Sequence, residues 1–140
     1  MRGKSITEIN IGDEADFAKT ITEYDIYGFA GIVCDFNPLH INREYAKTTI
    51  FKDVIANGIL GAGLISTVIG NYLPGAGTIY LSQSTKFMKP VYIGDTITAI
   101  VKVIEKNEIT NRVLLHTMCE NQHGDLIIEG ESLVMPPGDL

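Results

Sequence analysis

Cysteine is scarce in this chain. Cys34 and Cys119 are its only two, far apart in sequence and outside any Cys-x-x-Cys pair. They supply neither a zinc site nor a disulfide framework, and a reducing cytoplasm is the compartment they fit. Basic charge is short as well: 11 Lys and Arg against 17 Asp and Glu leave a net charge of −6. That balance argues against a nucleic-acid partner or an anionic membrane surface, and an anionic ligand would need a local basic patch. The opening residues run from Met1 through Glu8 into acidic residues rather than an apolar core, so no signal peptide is expected. The longest apolar stretch, residues 55–71, is too short and too broken by glycine to span a bilayer comfortably. A Gly-x-Ser-x-Gly elbow and metal-ligand spacing are both missing, which disfavours acyl-serine and zinc chemistry. Gly58, Gly61 and Gly63 do not form a dinucleotide fingerprint, because the helix and acidic partner that should follow are misplaced. Repeats, heptad arrays, linkers and low-complexity tracts are also lacking.

What is present describes one domain, 1–140, of ordinary globular composition with 45 % hydrophobic residues. Residues 15–20 read as a short strand. Thr22-Glu23-Tyr24-Asp25 is a Thr-x-x-acid capping pattern, so a helix should begin just after Thr22. Ile26, Phe29, Ala30 and Val33 continue it at helical spacing, and Asn37, before a proline, is expected to stop it. Asn42 can cap a short second helix through Lys47. Residues 55–71 are apolar on nearly every face, which predicts a central helix buried all round. Gly58, Gly61, Gly63 and Gly70 each disfavour that helix by up to ~1 kcal/mol relative to alanine. Close backbone approach to a surrounding sheet is the expected compensation. From Thr78 the pattern becomes strands over 78–88, 95–105, 112–121 and 126–135. Asn121-Gln122-His123-Gly124-Asp125 reads as the hairpin turn between the last two. One long helix followed by long antiparallel strands predicts an α+β domain with the sheet curled round the helix.

Chemistry concentrates in Cys34-Asp35-Phe36-Asn37-Pro38-Leu39-His40. On a continuous helix, Asp35 and His40 would lie roughly 140° apart around the axis. Pro38 prevents that helix and pushes Asn37 towards an extended backbone, so the chain must turn between the two residues. Both side chains can then point into one cavity, where a carboxylate and an imidazole can hold and deprotonate a water molecule. Asp-x-Asn-Pro is also an ordinary turn sequence, and from these residues alone both readings stand. Of the remaining histidines, His123 falls in the hairpin turn and His116 reads as a strand residue with a hydrogen-bond partner. Asn57-Gly58 opens the long helix, where unpaired N–H groups favour negative charge and can act as an oxyanion hole. A tight helix start explains Gly58 equally well.

The motif from Cys34 to His40, followed by Ile41-Asn42 and Tyr45-Ala46, resembles the hydratase signature of the MaoC-like family, which includes the (R)-specific enoyl-CoA hydratases. The likeness continues through 51–61, Leu73-Pro74-Gly75 and 83–95, so it covers most of the chain. It implies the hotdog fold, with a curved antiparallel sheet wrapped around a central buried helix. It further implies Asp35 and His40 as the catalytic pair, the Gly58 N–H as oxyanion donor, and Asn37 and Ser66 in support. Ser66 would orient Asp35; back-bonding to the preceding turn is its other reading. The substrate implied is an enoyl-CoA or 3-hydroxyacyl-CoA, with no metal and no cofactor beyond the coenzyme A of the substrate, in a homodimer. Arg43, Lys47, Lys86 and Lys89 would then either meet coenzyme A phosphates or form a solvated edge. Two positions depart from the family pattern. Cys34 stands where a small glycine or serine is usual, and Asn57 where relatives often have histidine. The rival functions are dehydration of 3-hydroxyacyl groups on acyl carrier protein, a hotdog thioesterase, and a non-catalytic acyl-CoA-binding module.

Overall fold

A computed structural model of the chain describes residues 2–138. After a 3-10 turn at Ile6–Glu8 come β1 (Glu14–Thr20), α1 (Glu23–Val33), α2 (Pro38–Ile41), α3 (Arg43–Lys47) and α4 (Gly58–Asn71). The strands β2 (Ile79–Phe87), β3 (Thr96–Asn107), β4 (Arg112–Glu120) and β5 (Leu126–Met135) complete the fold. All five strands form one antiparallel sheet in the order β1-β3-β4-β5-β2, leaving β1 and β2 as its edges. The sheet curves around α4, as the pattern of a long apolar helix and long strands predicts.

The alternation in β4 shows how side-chain period builds the core. Val113, Leu115, Thr117 and Cys119 are buried on the helix side, and the residues between them are only partly covered. From α4, Leu64, Ile65, Val68 and Ile69 enter the same cluster, meeting Ile97, Ala99, Val101 and Val103 of β3. Burying four such side chains is worth roughly 6–12 kcal/mol. Four helical glycines cost at most about 4 kcal/mol. Burial therefore wins, and the helix forms despite its sequence.

Four expectations need correction. The helix starts at Gly58 rather than Ile55, because Ile55 is extended and bridges Tyr92, while the Ala56 N–H donates to the Val91 carbonyl at 2.8 Å. Nor is α4 buried all round: Ile59, Gly63 and Ser66 are exposed on one face. Close approach accounts for only two of its glycines. A Cβ on Gly61 would lie 2.6 Å from Ile128 Cδ1, and one on Gly58 would lie 2.6 Å from the Phe87 ring, whereas Gly63 and Gly70 face open space. Finally, α1 ends at Cys34 and not at the pre-proline Asn37.

Candidate active site

The capping pattern at Thr22 sets where α1 begins. The Thr22 hydroxyl accepts the Asp25 N–H at 3.2 Å, and the Asp25 carboxylate accepts the Thr22 N–H at 2.9 Å. Ile26 and Ala30 anchor α1 in the core. The helix closes at Cys34 in the left-handed conformation, φ 59° and ψ 29°. Glycine adopts that conformation freely, whereas an L side chain there costs roughly 1–2 kcal/mol. The reversal turns the chain off the helix axis and presents Asp35 immediately afterwards.

Asp35 is exposed, yet both of its oxygens are engaged. Oδ1 accepts the Asn37 N–H at 3.2 Å and Oδ2 accepts an Asn57 side-chain N–H at 2.6 Å. The Asn37 oxygen in turn accepts the Leu39 N–H at 3.1 Å, capping α2, with Pro38 at its first position. That short helix carries His40, which is 9 % exposed. His40 Nδ1 lies 2.7 Å from the Ile55 carbonyl oxygen. A carbonyl can only accept, so Nδ1 holds the proton, and Nε2 of the neutral ring is left with a lone pair.

Asn57 precedes α4 at the N-cap position, but its side chain makes no capping bond. The Leu60 N–H donates to the Asn57 carbonyl at 3.0 Å, while the Gly58 and Ile59 N–H groups meet no protein acceptor among the described residues. The positive end of a 14-residue helix is therefore open beside Asp35 and His40. Two cavities meet there. The smaller, about 270 Å³, is lined by Phe29, Val33, Asp35, His40, Asn57, Gly58 and Ile59. The larger, about 470 Å³, shares His40, Asn57, Gly58 and Ile59 and runs between apolar walls that include Phe51, Leu60, Phe87, Val91 and Ile128.

Asp35, His40 and Gly58 line one cavity and Asn37 supports Asp35 through its N–H from outside the lining, whereas Ser66 does not join them. Ser66 sits on the exposed face of α4, and the side chain that donates to Asp35 is Asn57. The helical period carries Ser66 off the face on which Gly58 begins. The proposed phosphate-binding cations are mostly occupied: Arg43 pairs with Glu23 at 3.0 Å, Lys47 with Glu44 at 2.6 Å, and Lys89 with Asp125 at 2.8 Å. Of the four, only Lys89 lines the larger cavity. His116 pairs with Glu129 at 3.2 Å on the sheet, as a strand histidine should, and His123 is exposed in its turn. Cys119 is buried, and burial pushes its thiol up to about 12. Among the described residues, no cluster of His, Cys, Asp and Glu could hold a metal ion, and no helix is long and apolar enough to cross a membrane.

A hotdog sheet, an Asp–His pair on a proline turn and an uncapped helix start define a hydro-lyase of the MaoC type, and comparison with known proteins agrees. The MaoC like domain matches residues 7–121, and the chain belongs to that family. It is 51 % identical to the (R)-specific enoyl-CoA hydratase of Rhodospirillum rubrum over 93 % of this chain and 90 % of that one. The mitochondrial 3-hydroxyacyl-[acyl-carrier-protein] dehydratase FERN of Solanum lycopersicum is 39 % identical over 94 % of this chain and 84 % of its own. Among solved structures, the unliganded R-hydratase PhaJ1 of Pseudomonas aeruginosa superposes with a TM-score of 0.93 at 39 % identity, covering 98 % of this chain and 88 % of that one.

Proposed function

We propose that this protein catalyses reversible hydration of a trans-2-enoyl-CoA to the (R)-3-hydroxyacyl-CoA. The observation that carries the reading is the single cavity wall on which Asp35, the His40 ring and the open N–H of Gly58 meet. The thioester carbonyl accepts the Gly58 N–H, which withdraws electrons from the conjugated alkene and makes C3 electrophilic. Water donates one O–H to His40 Nε2 and the other to the Asp35 carboxylate. As its oxygen bonds to C3, the proton passes to Nε2 and the electron pair moves to the carbonyl oxygen, where the helix start stabilises the enolate. Asp35 stabilises the imidazolium, which then delivers its proton to C2. Water adds whole across the double bond with no net change of oxidation state, so the step calls for no redox cofactor. The hydrophobic portion of the thioester occupies the apolar cavity of about 470 Å³ beside Gly58.

The working form in this reading is a homodimer. Ile79 and Leu81 on the edge strand β2, with Phe87 and Met88 at its end, are between 40 and 53 % exposed, and an uncovered apolar edge invites pairing with a second copy. The unpaired thiols suit a reducing cytoplasm, and fatty-acid metabolism is the matching process. Crotonyl-CoA tests the activity directly: its conjugated-thioester absorbance should fall, and chiral analysis should return the (R)-alcohol. The (S)-alcohol, or release of free thiol, would refute the proposal. The same crotonyl group on acyl carrier protein tests the dehydratase reading that the tomato relative favours.

A further inference from the structure

We propose that Asn57 is the positioning residue of this site: it clamps the Asp35 carboxylate through its side-chain N–H and, by turning that way, leaves the start of α4 uncapped for a substrate oxygen. The inference rests on the hydratase reading above. Asn57 is only 4 % exposed, and its Nδ2 lies 2.6 Å from Asp35 Oδ2, the short distance of a charge-assisted bond. The amide orientation follows from chemistry, since a carboxylate can only accept. The consequence is that Asn57 Oδ1 is buried without a hydrogen-bond partner among the described residues. A buried acceptor left unpaired is destabilising. An asparagine at an N-cap has a ready remedy, which is to aim its oxygen at an N–H of the first helical turn. Asn57 forgoes that bond.

Both results of this choice favour the reaction. Asp35 is exposed, and without Asn57 only the Asn37 N–H at 3.2 Å would restrain it. With Asn57 in place, both carboxylate oxygens are fixed by donors from two different segments, and the carboxylate faces the cavity that His40 shares. Meanwhile the Gly58 and Ile59 N–H groups stay free of protein acceptors among the described residues. A neutral carboxamide does this without adding a titrating group beside Asp35 and His40.

The test replaces Asn57 with leucine, which matches its shape but cannot donate, with aspartate, which repels Asp35, and with histidine, which restores a ring N–H. Turnover and KM with crotonyl-CoA are measured beside melting temperature. Asn57→Leu should lower kcat about 10–100-fold, the scale of a misplaced catalytic group, with KM within about threefold. Its melting temperature should equal or exceed that of the parent, because the orphan acceptor is gone. Asn57→Asp should be slower still, and Asn57→His should recover most of the turnover lost in Asn57→Leu. A merely structural role would lower melting temperature and leave the kcat of folded enzyme intact. Turnover of Asn57→Leu within twofold of the parent overturns the inference. Should the leucine variant fail to fold, equal turnover of the aspartate and histidine variants overturns it instead. A parent enzyme inert towards crotonyl-CoA overturns the hydratase reading and this inference together, whereas an active parent with indifferent Asn57 variants overturns the inference alone.

Discussion

Asp35→Asn, His40→Asn and the double variant decide whether the two side chains work on one water. Asp35 is exposed, so its loss disturbs the site more than the fold. An asparagine there can still accept one N–H, but its own NH₂ must then face the Asn37 N–H, donor against donor, or make Asn57 turn its unpaired oxygen round to accept it. Giving up one of these bonds costs about 1 kcal/mol of stability, a few degrees of melting temperature, and leaves the protein folded at 25 °C. In His40→Asn the carboxamide N–H takes the place of Nδ1 and reaches for the Ile55 carbonyl, so the buried bond survives while Nε2 is removed. Each single change should lower turnover by roughly 10²–10⁴, the worth of a positioned proton transfer. That range corresponds to about 2.7–5.5 kcal/mol of barrier. If Nε2 takes the proton while Asp35 holds the same water, losing either partner disables both, and the double variant should be about as slow as the worse single one. The assay is the decay of enoyl absorbance with crotonyl-CoA, alongside thermal melts. Losses that multiply in the double variant would refute the shared water. A folded Asp35→Asn enzyme at full rate would remove Asp35 from the mechanism.

Light scattering should return about twice the 15.3 kDa chain mass, and Leu81→Lys on the exposed edge of β2 should shift it towards monomer with loss of activity. Native protein should react with a thiol reagent at Cys34 and resist at Cys119, whose burial pushes the thiol up to about 12; both should react once unfolded. Thr22→Ala should cost about 1 kcal/mol in denaturant unfolding, because it removes the cap of α1. Burial alone would raise the Asp25 carboxyl, but the Thr22 N–H, the Lys19 ammonium and the Thr22 hydroxyl outweigh it and hold it below its ordinary 3.8. A lowered folded value means stability that is fully present above 3.8 and lost as pH falls further. The destabilisation by Asp25→Ala should accordingly be seen at neutral pH and shrink in acid, and a pH-independent penalty would contradict that linkage.

The features legible along the chain are those in which cause and effect lie a few residues apart. Thr22 and Asp25 cap one another across a single helical turn. The strands declare themselves through period-two alternation, as in β4, and Gly124 at φ 76° marks the last hairpin. Pro38 sets the turn that separates Asp35 from His40. Helix ends were harder to read. Cys34 closes α1 in a conformation more typical of glycine, and Ile55 looks helical by composition but is taken by Tyr92 into a strand-like bridge.

By itself the sequence determined the longer elements and the α+β class, because hydrophobic period and caps act through local geometry; the Asp–His pair came from the resemblance, and the short helix Pro38–Ile41 from the structure alone. Only the tertiary structure decided which groups support that pair. Ile55 lies 15 residues from His40 and Asn57 lies 22 residues from Asp35, and these contacts exist because the Ile55–Tyr92 bridge and the Ala56–Val91 bond fix how the chain runs into α4. Ser66 had a claim on Asp35 from resemblance alone, and the rotation of α4 about its buried face of Leu64, Ile65, Val68 and Ile69 turned it outward. A side chain's direction on a buried helix follows from which stripe the core takes. With nearly every face of α4 apolar in sequence, that choice belongs to the packing partners on the sheet.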